Sequence, residues 1–377
     1  MPTFTSSWRR FDFVLLALLL VLTFFGVVMI RSANLGTEDL ADLWRRQATF
    51  AIIGLGLLFL VAAIPYEWLR HFWWIGYIVG IGLLVLVLFI GESEIGEVRR
   101  WFYIGTFRLQ PSFPALILVI ISLAAVLDPP PRERRIADMD SSRRGERPGL
   151  WRYLLSAALM IIPAALVFRE PDLSTAVIFV AAWGVMVFVS EVHLGYLVGT
   201  LLIGLASLVP LWSVMEEYQR DRVRLFLHPE RDPAALYNVD QALISIGSGG
   251  LWGKGYGVGS QSQLRFLRVR HTDYIFSVVG EEMGFIGATL LLFLFFLLFT
   301  RIFRAALLAP DRFGRLMVVG IGTVLFFQMA VNIGMNLGLI PVTGLPLPFI
   351  SYGGSALLTA MIGLGLVEGV AMRHKEK

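Results

Sequence analysis

The sequence predicts an all-α, polytopic integral membrane protein with about ten transmembrane helices and a large extracellular loop between the seventh and eighth. Three observations carry this. Of 377 residues, 56% are hydrophobic and only 16% charged, well above the apolar share of soluble domains. The apolar residues come in runs of about 20, the length that spans roughly 30 Å of hydrocarbon. The longest polar stretch, residues 213–272, has apolar patches of its own, so 1–377 reads as a single transmembrane domain.

Taken in order, the spans are expected at 11–30, 48–65, 73–90, 113–127, 154–168, 175–190, 194–212, 284–300, 316–338 and 356–372. The first follows Arg9 and Arg10 and has no small-residue cleavage site after it, so it reads as a retained span rather than a signal peptide. The fourth to sixth are short, which leaves room for an interfacial or re-entrant piece there. Gly76, Gly80, Gly320 and Gly365 lie inside spans, where close helix packing is the ordinary reason for a small residue. Trp101 and Trp212 near span ends read as interfacial anchors. No internal repeat is evident, which weighs weakly against inverted-repeat transporters.

Ten spans place both termini on one side, and basic residues choose the side. With the termini in the cytoplasm the inner loops hold 17 Lys and Arg, seven of them in the Arg-rich loop 128–153, against 7 in the short outer loops. The loop 213–272, with 8 more, then lies outside. The absence of cysteine excludes disulfides, thiol chemistry and thiolate metal sites, and five scattered histidines make a transition-metal site a poor expectation. Arg outnumbers Lys 29 to 3 along the whole chain, a bias too uniform to mark a phosphate site.

Three outward segments could carry chemistry. The first, GSGGLWGKGYGVGSQSQLRFLRVRHTD (247–273), combines flexible backbone with four basic residues and no acid between Lys254 and His271. That suits a phosphate or pyrophosphate, and equally a basic loop on lipid head groups; no strand precedes it, so a nucleotide loop is set aside. The second is Asp273, just before the run leading into the eighth span. It is either a helix cap or a general base at the outer membrane boundary. Glu281 and Glu282, about two turns on, should point away from the Asp273 face. The third, LIPVTGLPLPFISYGGSALL (339–358), has three prolines and three glycines and cannot be helical throughout. Irregular backbone at membrane depth is tolerated where it is buried in protein or lines a cavity.

These segments resemble, in order and over most of the chain, the SEDS proteins (shape, elongation, division and sporulation). RRWFYIGTFRLQPS (99–112) is similar to the family's RW-x-x-x-G-x-x-x-QPSE, and EPDLSTA (170–176) to QPDLGTA. YNVDQALISIGSGGLWGKGYGVGSQSQL resembles the long-loop signature, HTDYIFSVVGEEMGFIG the HTDFIFAVIGEELG motif, and the 339–358 segment the near-terminal motif. The wording of GSQSQL and GLIPVTGLPLPFISYGG leans toward the elongation branch over the division branch. The resemblance implies a glycosyltransferase that polymerises lipid II into glycan strands at the outer face of a bacterial cytoplasmic membrane, during elongation and rod-shape maintenance. It implies a partner as well, a class B penicillin-binding protein within the elongation machinery. Asp273 takes the role of the essential carboxylate. Lys254, Arg265, Arg268, Arg270 and His271 become candidates for the substrate's pyrophosphate, with Glu170, Asp172 and Ser351 as further substrate-binding candidates. A divalent cation, Mg or Mn, is a candidate for the same charge.

The departures are specific. Phe113 and Leu116 stand where the family pattern QPSE-x-x-K expects Glu and Lys; Arg268 and Val269 replace Pro and Glu; Glu170 and Ser174 replace Gln and Gly. Glu170 could replace the missing carboxylate if the fold brings it near. Two other functions compete: a transporter that flips lipid-linked precursor, and a scaffold for a partner polymerase. A flippase needs substrate access from both faces, whereas the unusual ionisable residues here cluster outside.

Overall fold

A computed structural model describes residues 8–37, 40–91, 100–105, 107–128, 149–228, 233–264, 266–267 and 269–374. Each of the ten expected segments falls on a helix. These are α1 (Phe13–Ala33), α2 (Leu43–Ala63), α4 (Trp73–Ile90), α5 (Ser112–Leu127), α6 (Leu150–Arg169), α7 (Leu173–Val189), α8 (Leu194–Val214), α12 (Ile275–Leu307), α13 (Arg312–Asn336) and α14 (Gly354–Ala371). Seven of them are long and apolar enough to cross a membrane; α5, α7 and α8 contribute shorter apolar stretches. Most of the Arg-rich loop 128–153 lies outside the described residues.

The other elements are shorter: α3 (Glu67–His71), a hairpin of β1 (Phe102–Ile104) and β2 (Phe107–Leu109), and three helices inside the long loop. These three are α9 (Glu217–Leu227), α10 (Pro233–Ser248) and α11 (Ser260–Gln263). The loop is therefore largely helical. α9 starts with a reciprocal cap, in which the Glu216 side chain accepts from the backbone of Gln219 while Gln219 accepts from the Glu216 backbone N–H.

The core is built by α5, α13 and α14, whose buried residues include Leu116, Ile120, Leu316, Met317, Met361 and Leu364. The small residues let these helices close up. A Cβ on Gly365 would stand 2.7 Å from the Leu58 carbonyl of α2, and one on Gly320 2.7 Å from Ile120 of α5. Gly76 and Gly80 pack on α5 at ordinary distances. By contrast α4 and α8 are largely exposed, as helices in contact with lipid must be.

α12 is bent at Gly284, whose φ of 65° and ψ of −164° interrupt the helix. The glycine-rich segment 249–255 seats itself in this break. Lys254 and Gly255 donate their N–H groups to the carbonyls of Glu281 and Glu282, each at 2.9 Å, and Phe285 donates to Gly250 at 2.8 Å. Only glycine fits at Gly253: its φ is +78°, and a Cβ there would lie 2.2 Å from the Glu282 carbonyl. These glycines thus complete the hydrogen bonding of a broken helix.

Candidate active site

Asp273 lies between the long loop and α12. Three consecutive carbonyls, from His271 to Asp273, are held by distant parts of the chain. Tyr352 N–H donates to the His271 carbonyl at 2.9 Å, and the Ser351 hydroxyl to that of Thr272 at 2.6 Å. Asn332 and Asn336, one turn apart on α13, both donate to the Asp273 carbonyl, at 2.9 and 2.8 Å. Asn336 in turn accepts from the hydroxyl and backbone N–H of Ser277, at 2.6 and 3.2 Å. With its backbone fixed, the Asp273 carboxylate caps nothing: Tyr274 occupies the N-cap of α12 and provides no side-chain hydrogen bond. Burial pushes this carboxyl up from its ordinary 3.8 to about 6, against the opposing pull of Arg222 and Thr272. The group titrates in the range where a general base works well.

A cavity of about 200 Å³ lies alongside, between the start of α7, α9, α13 and the segment 340–345. Asp273 stands behind Gly344, between the lining residues Thr343 and Leu345; a Cβ on Gly344 would be 3.7 Å from Asp273 Oδ2. Two guanidinium groups line the cavity and neither has a carboxylate partner among the described residues. Arg100 donates to the carbonyls of Glu170, at 2.6 Å, and Pro171, and to the Tyr218 hydroxyl at 3.1 Å. Arg222 donates to the Val342 carbonyl at 3.2 Å and lies over the Tyr218 ring, 5.5 Å from its centre. The acid on this wall, Asp172, is already saturated. It caps α7 by accepting from Thr175 N–H at 3.0 Å, and it accepts the Thr175 hydroxyl at 2.7 Å and the Gln110 amide at 3.1 Å.

The other residues singled out in the sequence are distributed differently. Lys254 pairs at 2.8 Å with fully buried Glu281, which also accepts from Gln261 and Ser262 N–H at 2.9 and 3.2 Å; it serves the loop's own fold. Arg270 is buried, bonded to the Ala33 carbonyl at the end of α1 and to Thr37 at 2.9 Å. Neither cation lines the cavity; both are engaged within the fold instead. Arg265 and Arg268 lie outside the described residues. The His271 ring packs edge-on to Tyr352, and burial, reinforced by Arg270, lowers it to about 4, so it is neutral. Ser351 holds the loop by its two hydrogen bonds, to Thr272 and from Leu347 N–H at 2.8 Å. Glu281 and Glu282 turn away from Asp273, as the helical spacing predicts; Glu282 accepts from Ser32 at 2.5 Å.

Glu170 is fully buried with neither carboxyl oxygen hydrogen-bonded. Burial, then Asp172, raises it to about 9 against Arg100, so it is a neutral acid at pH 7 and supplies no replacement charge. Phe113 and Leu116 line a separate cavity of about 20 Å³ between α5, α13 and α14. The expected Glu–Lys pair is replaced by apolar packing away from Asp273.

Sequence reading missed Arg100, Arg222, Tyr218, Gln219, Asn332 and Asn336. The asparagines do leave a trace, since Gln328, Asn332 and Asn336 repeat every four residues along one face of an otherwise apolar span. Arg222 leaves none, as one arginine of several in the loop.

The sequence profile of the FtsW/RodA/SpoVE cell cycle proteins matches residues 12–376. The chain belongs to this family. The SEDS resemblance of its motifs is thereby established. Peptidoglycan glycosyltransferase MrdB of Escherichia coli K12 is 38% identical over 99% of this chain and 97% of its own length. Stage V sporulation protein E of Bacillus subtilis is 35% identical over 96% of each. Among solved structures, the RodA rod shape determining protein of Thermus thermophilus superposes with a TM-score of 0.70 at 32% identity, over 98% of this chain and 99% of that one. A peptidoglycan synthase complex, solved for its structural coordination of polymerization and crosslinking, contains a chain that superposes at 0.77 with 33% identity, over 96% and 97%.

Proposed function

We propose that this FtsW/RodA/SpoVE protein is a peptidoglycan glycosyltransferase that polymerises lipid II at the outer face of the cytoplasmic membrane, with Asp273 as general base. The observation that carries the reading is a carboxylate held by its backbone from three sides, with the neighbouring Thr272 hydroxyl as its side-chain donor, beside a cavity whose guanidiniums form no salt bridge among the described residues. Asp273 takes the proton of the acceptor sugar's hydroxyl as that oxygen attacks the donor's anomeric carbon. The bond from that carbon to the donor's pyrophosphate breaks, and the lipid pyrophosphate leaves with the electron pair. The backbone clamp keeps the base in place without consuming its lone pairs. Both termini lie in the cytoplasm and 213–272 outside, as the basic residues indicate.

The described residues include no cluster of three His, Asp or Glu side chains suited to a divalent cation, and no step above depends on one. The partner is a class B penicillin-binding protein, supported by the relative found in a complex described for polymerization and crosslinking, and the role is elongation. A flippase would need a polar path from the cytoplasm. At that end Asp12 is taken up by Arg301 at 2.5 Å and Glu368 accepts the Asp12 N–H at 2.6 Å, among apolar neighbours. The test is polymerisation of labelled lipid II by purified protein, alone and with the cognate transpeptidase. Glycan that requires the Asp273 carboxylate is expected; translocation of lipid II without glycan would replace this reading with the flippase, and neither would leave a scaffold.

A further inference from the structure

We infer that Arg100, Arg222 and the side-chain amide of Gln219 form the subsite that holds the pyrophosphate of a lipid-linked substrate, a role for which the sequence suggested other residues. Three observations converge on one wall of the cavity. The two guanidiniums are fixed by carbonyls and by Tyr218, which Arg100 meets at the hydroxyl and Arg222 at the ring face, and neither forms a salt bridge among the described residues. Gln219, only 3% exposed and part of the same lining, uses its Oε1 to accept from Glu216 N–H at 3.0 Å, while its amide nitrogen has no partner among the described residues. A buried amide N–H without an acceptor costs stability unless a ligand supplies one. Finally, the nearby carboxylates form no ion pair with these arginines among the described residues: Asp172 is bonded to Thr175 and Gln110, Glu170 bonds to neither arginine through its carboxyl, and Asp273 feels Arg222 only at longer range.

This wall suits an anion with several acceptor oxygens. Planar guanidiniums match phosphate oxygens, and a buried amide donor adds a third direction. The rest of the lining, Val177, Ile178, Phe327, Val331 and Ile340, is apolar and suits the first isoprene units next to that anion. Naming the anion as a lipid pyrophosphate rests on the glycosyltransferase reading; the requirement for a polyanion does not.

The experiment is equilibrium binding of farnesyl pyrophosphate to the purified full-length protein in detergent, with farnesol and inorganic pyrophosphate as comparison ligands. Farnesyl pyrophosphate should bind at least about tenfold more tightly than farnesol. Arg222→Gln should weaken it by about tenfold or more, and Arg222→Lys by less, since it keeps the charge and loses the fork. Gln219→Glu keeps the acceptor that caps α9 but sets a carboxyl group against the ligand, so it should lose binding as well. Arg224→Gln, on the same helix but paired with Glu217 and Asp221 and outside the cavity, should bind as the parent does. Inorganic pyrophosphate binding as tightly as the prenyl compound would keep the anion site and remove the lipid's share. The inference is overturned if Arg222→Gln and Gln219→Glu bind farnesyl pyrophosphate like the parent, or if Arg224→Gln loses as much as Arg222→Gln. Polymerisation is scored separately. A protein that shows this binding pattern but makes no glycan keeps the subsite and loses the polymerase, and one that makes glycan while Arg222→Gln binds undiminished does the reverse.

Discussion

Replacing Asp273 by Asn should abolish glycan synthesis and at the same time make the protein more stable. In the folded chain burial holds this carboxyl at about 6 instead of 3.8. At neutral pH the folded state therefore carries an ionised group in a place that disfavours it. The difference corresponds to about 3 kcal/mol, as an upper estimate. The sign follows from proton binding. Below 3.8 the carboxyl is protonated in both folded and unfolded chains, and the penalty vanishes. Between 3.8 and about 6 the folded chain retains a proton that the unfolded chain has lost, so stability falls as pH rises. Above about 6 the penalty is complete. Asn carries no charge and escapes it, while the carbonyl clamp from Asn332, Asn336 and Ser351 is untouched. Thermal unfolding in detergent should show Asp273→Asn above the parent at pH 7.5 and level with it near pH 3.5. Lipid II polymerisation by the same preparation should fall by about 10²–10⁴-fold. A variant with near-normal glycan synthesis, or one less stable than the parent at pH 7.5, would refute the reasoning.

The parent's polymerisation rate, measured from pH 5 to 8, should rise with pH on a limb centred near 6, the value for Asp273; a flat profile counts against it as the base. For topology, the chain's lack of cysteine allows single introductions. Ser248→Cys should react with an impermeant thiol reagent in intact cells and Ser142→Cys should not. Glu281→Ala leaves Lys254 and the N–H groups of Gln261 and Ser262 without their acceptor. It should cost about 3–5 kcal/mol, read as loss of the monodisperse peak in size-exclusion chromatography. Restoring the family pattern with Phe113→Glu and Leu116→Lys places two charges in a cavity of about 20 Å³; accumulation in the membrane should drop, and a gain in polymerisation would refute the view of that region as apolar packing.

The helices were legible in the sequence because the bilayer dictates their length, and the segments read from apolar runs all fall on helices. Asp273 was legible as a position but not as a function. Its composition and spacing allowed a cap as readily as a base, and only the N-cap geometry at Tyr274 separates the two. Lys254 has a use in the fold that its sequence setting does not show. A cation beside glycines reads as an anion site, but the matching acid, Glu281, lies 27 residues away and cancels it. Arg222 and Arg100 were invisible for the converse reason. Their significance is that neither forms a salt bridge among the described residues, a property of the folded neighbourhood that no local pattern records.

The clamp on residues 271–273 also fixes when the Asp273 backbone can be set in place during biosynthesis. Its donors, Asn332, Asn336, Ser351 and Tyr352, are all translated after the aspartate, on or between the last two helices. A ribosome that has passed Asp273 has made the carboxylate but none of these donors. Until the hairpin of α13 and α14 is in place, these three carbonyls lack the donors that hold them. A chain cut short before Asn332 would keep Asp273 and lose every one of these donors to residues 271–273.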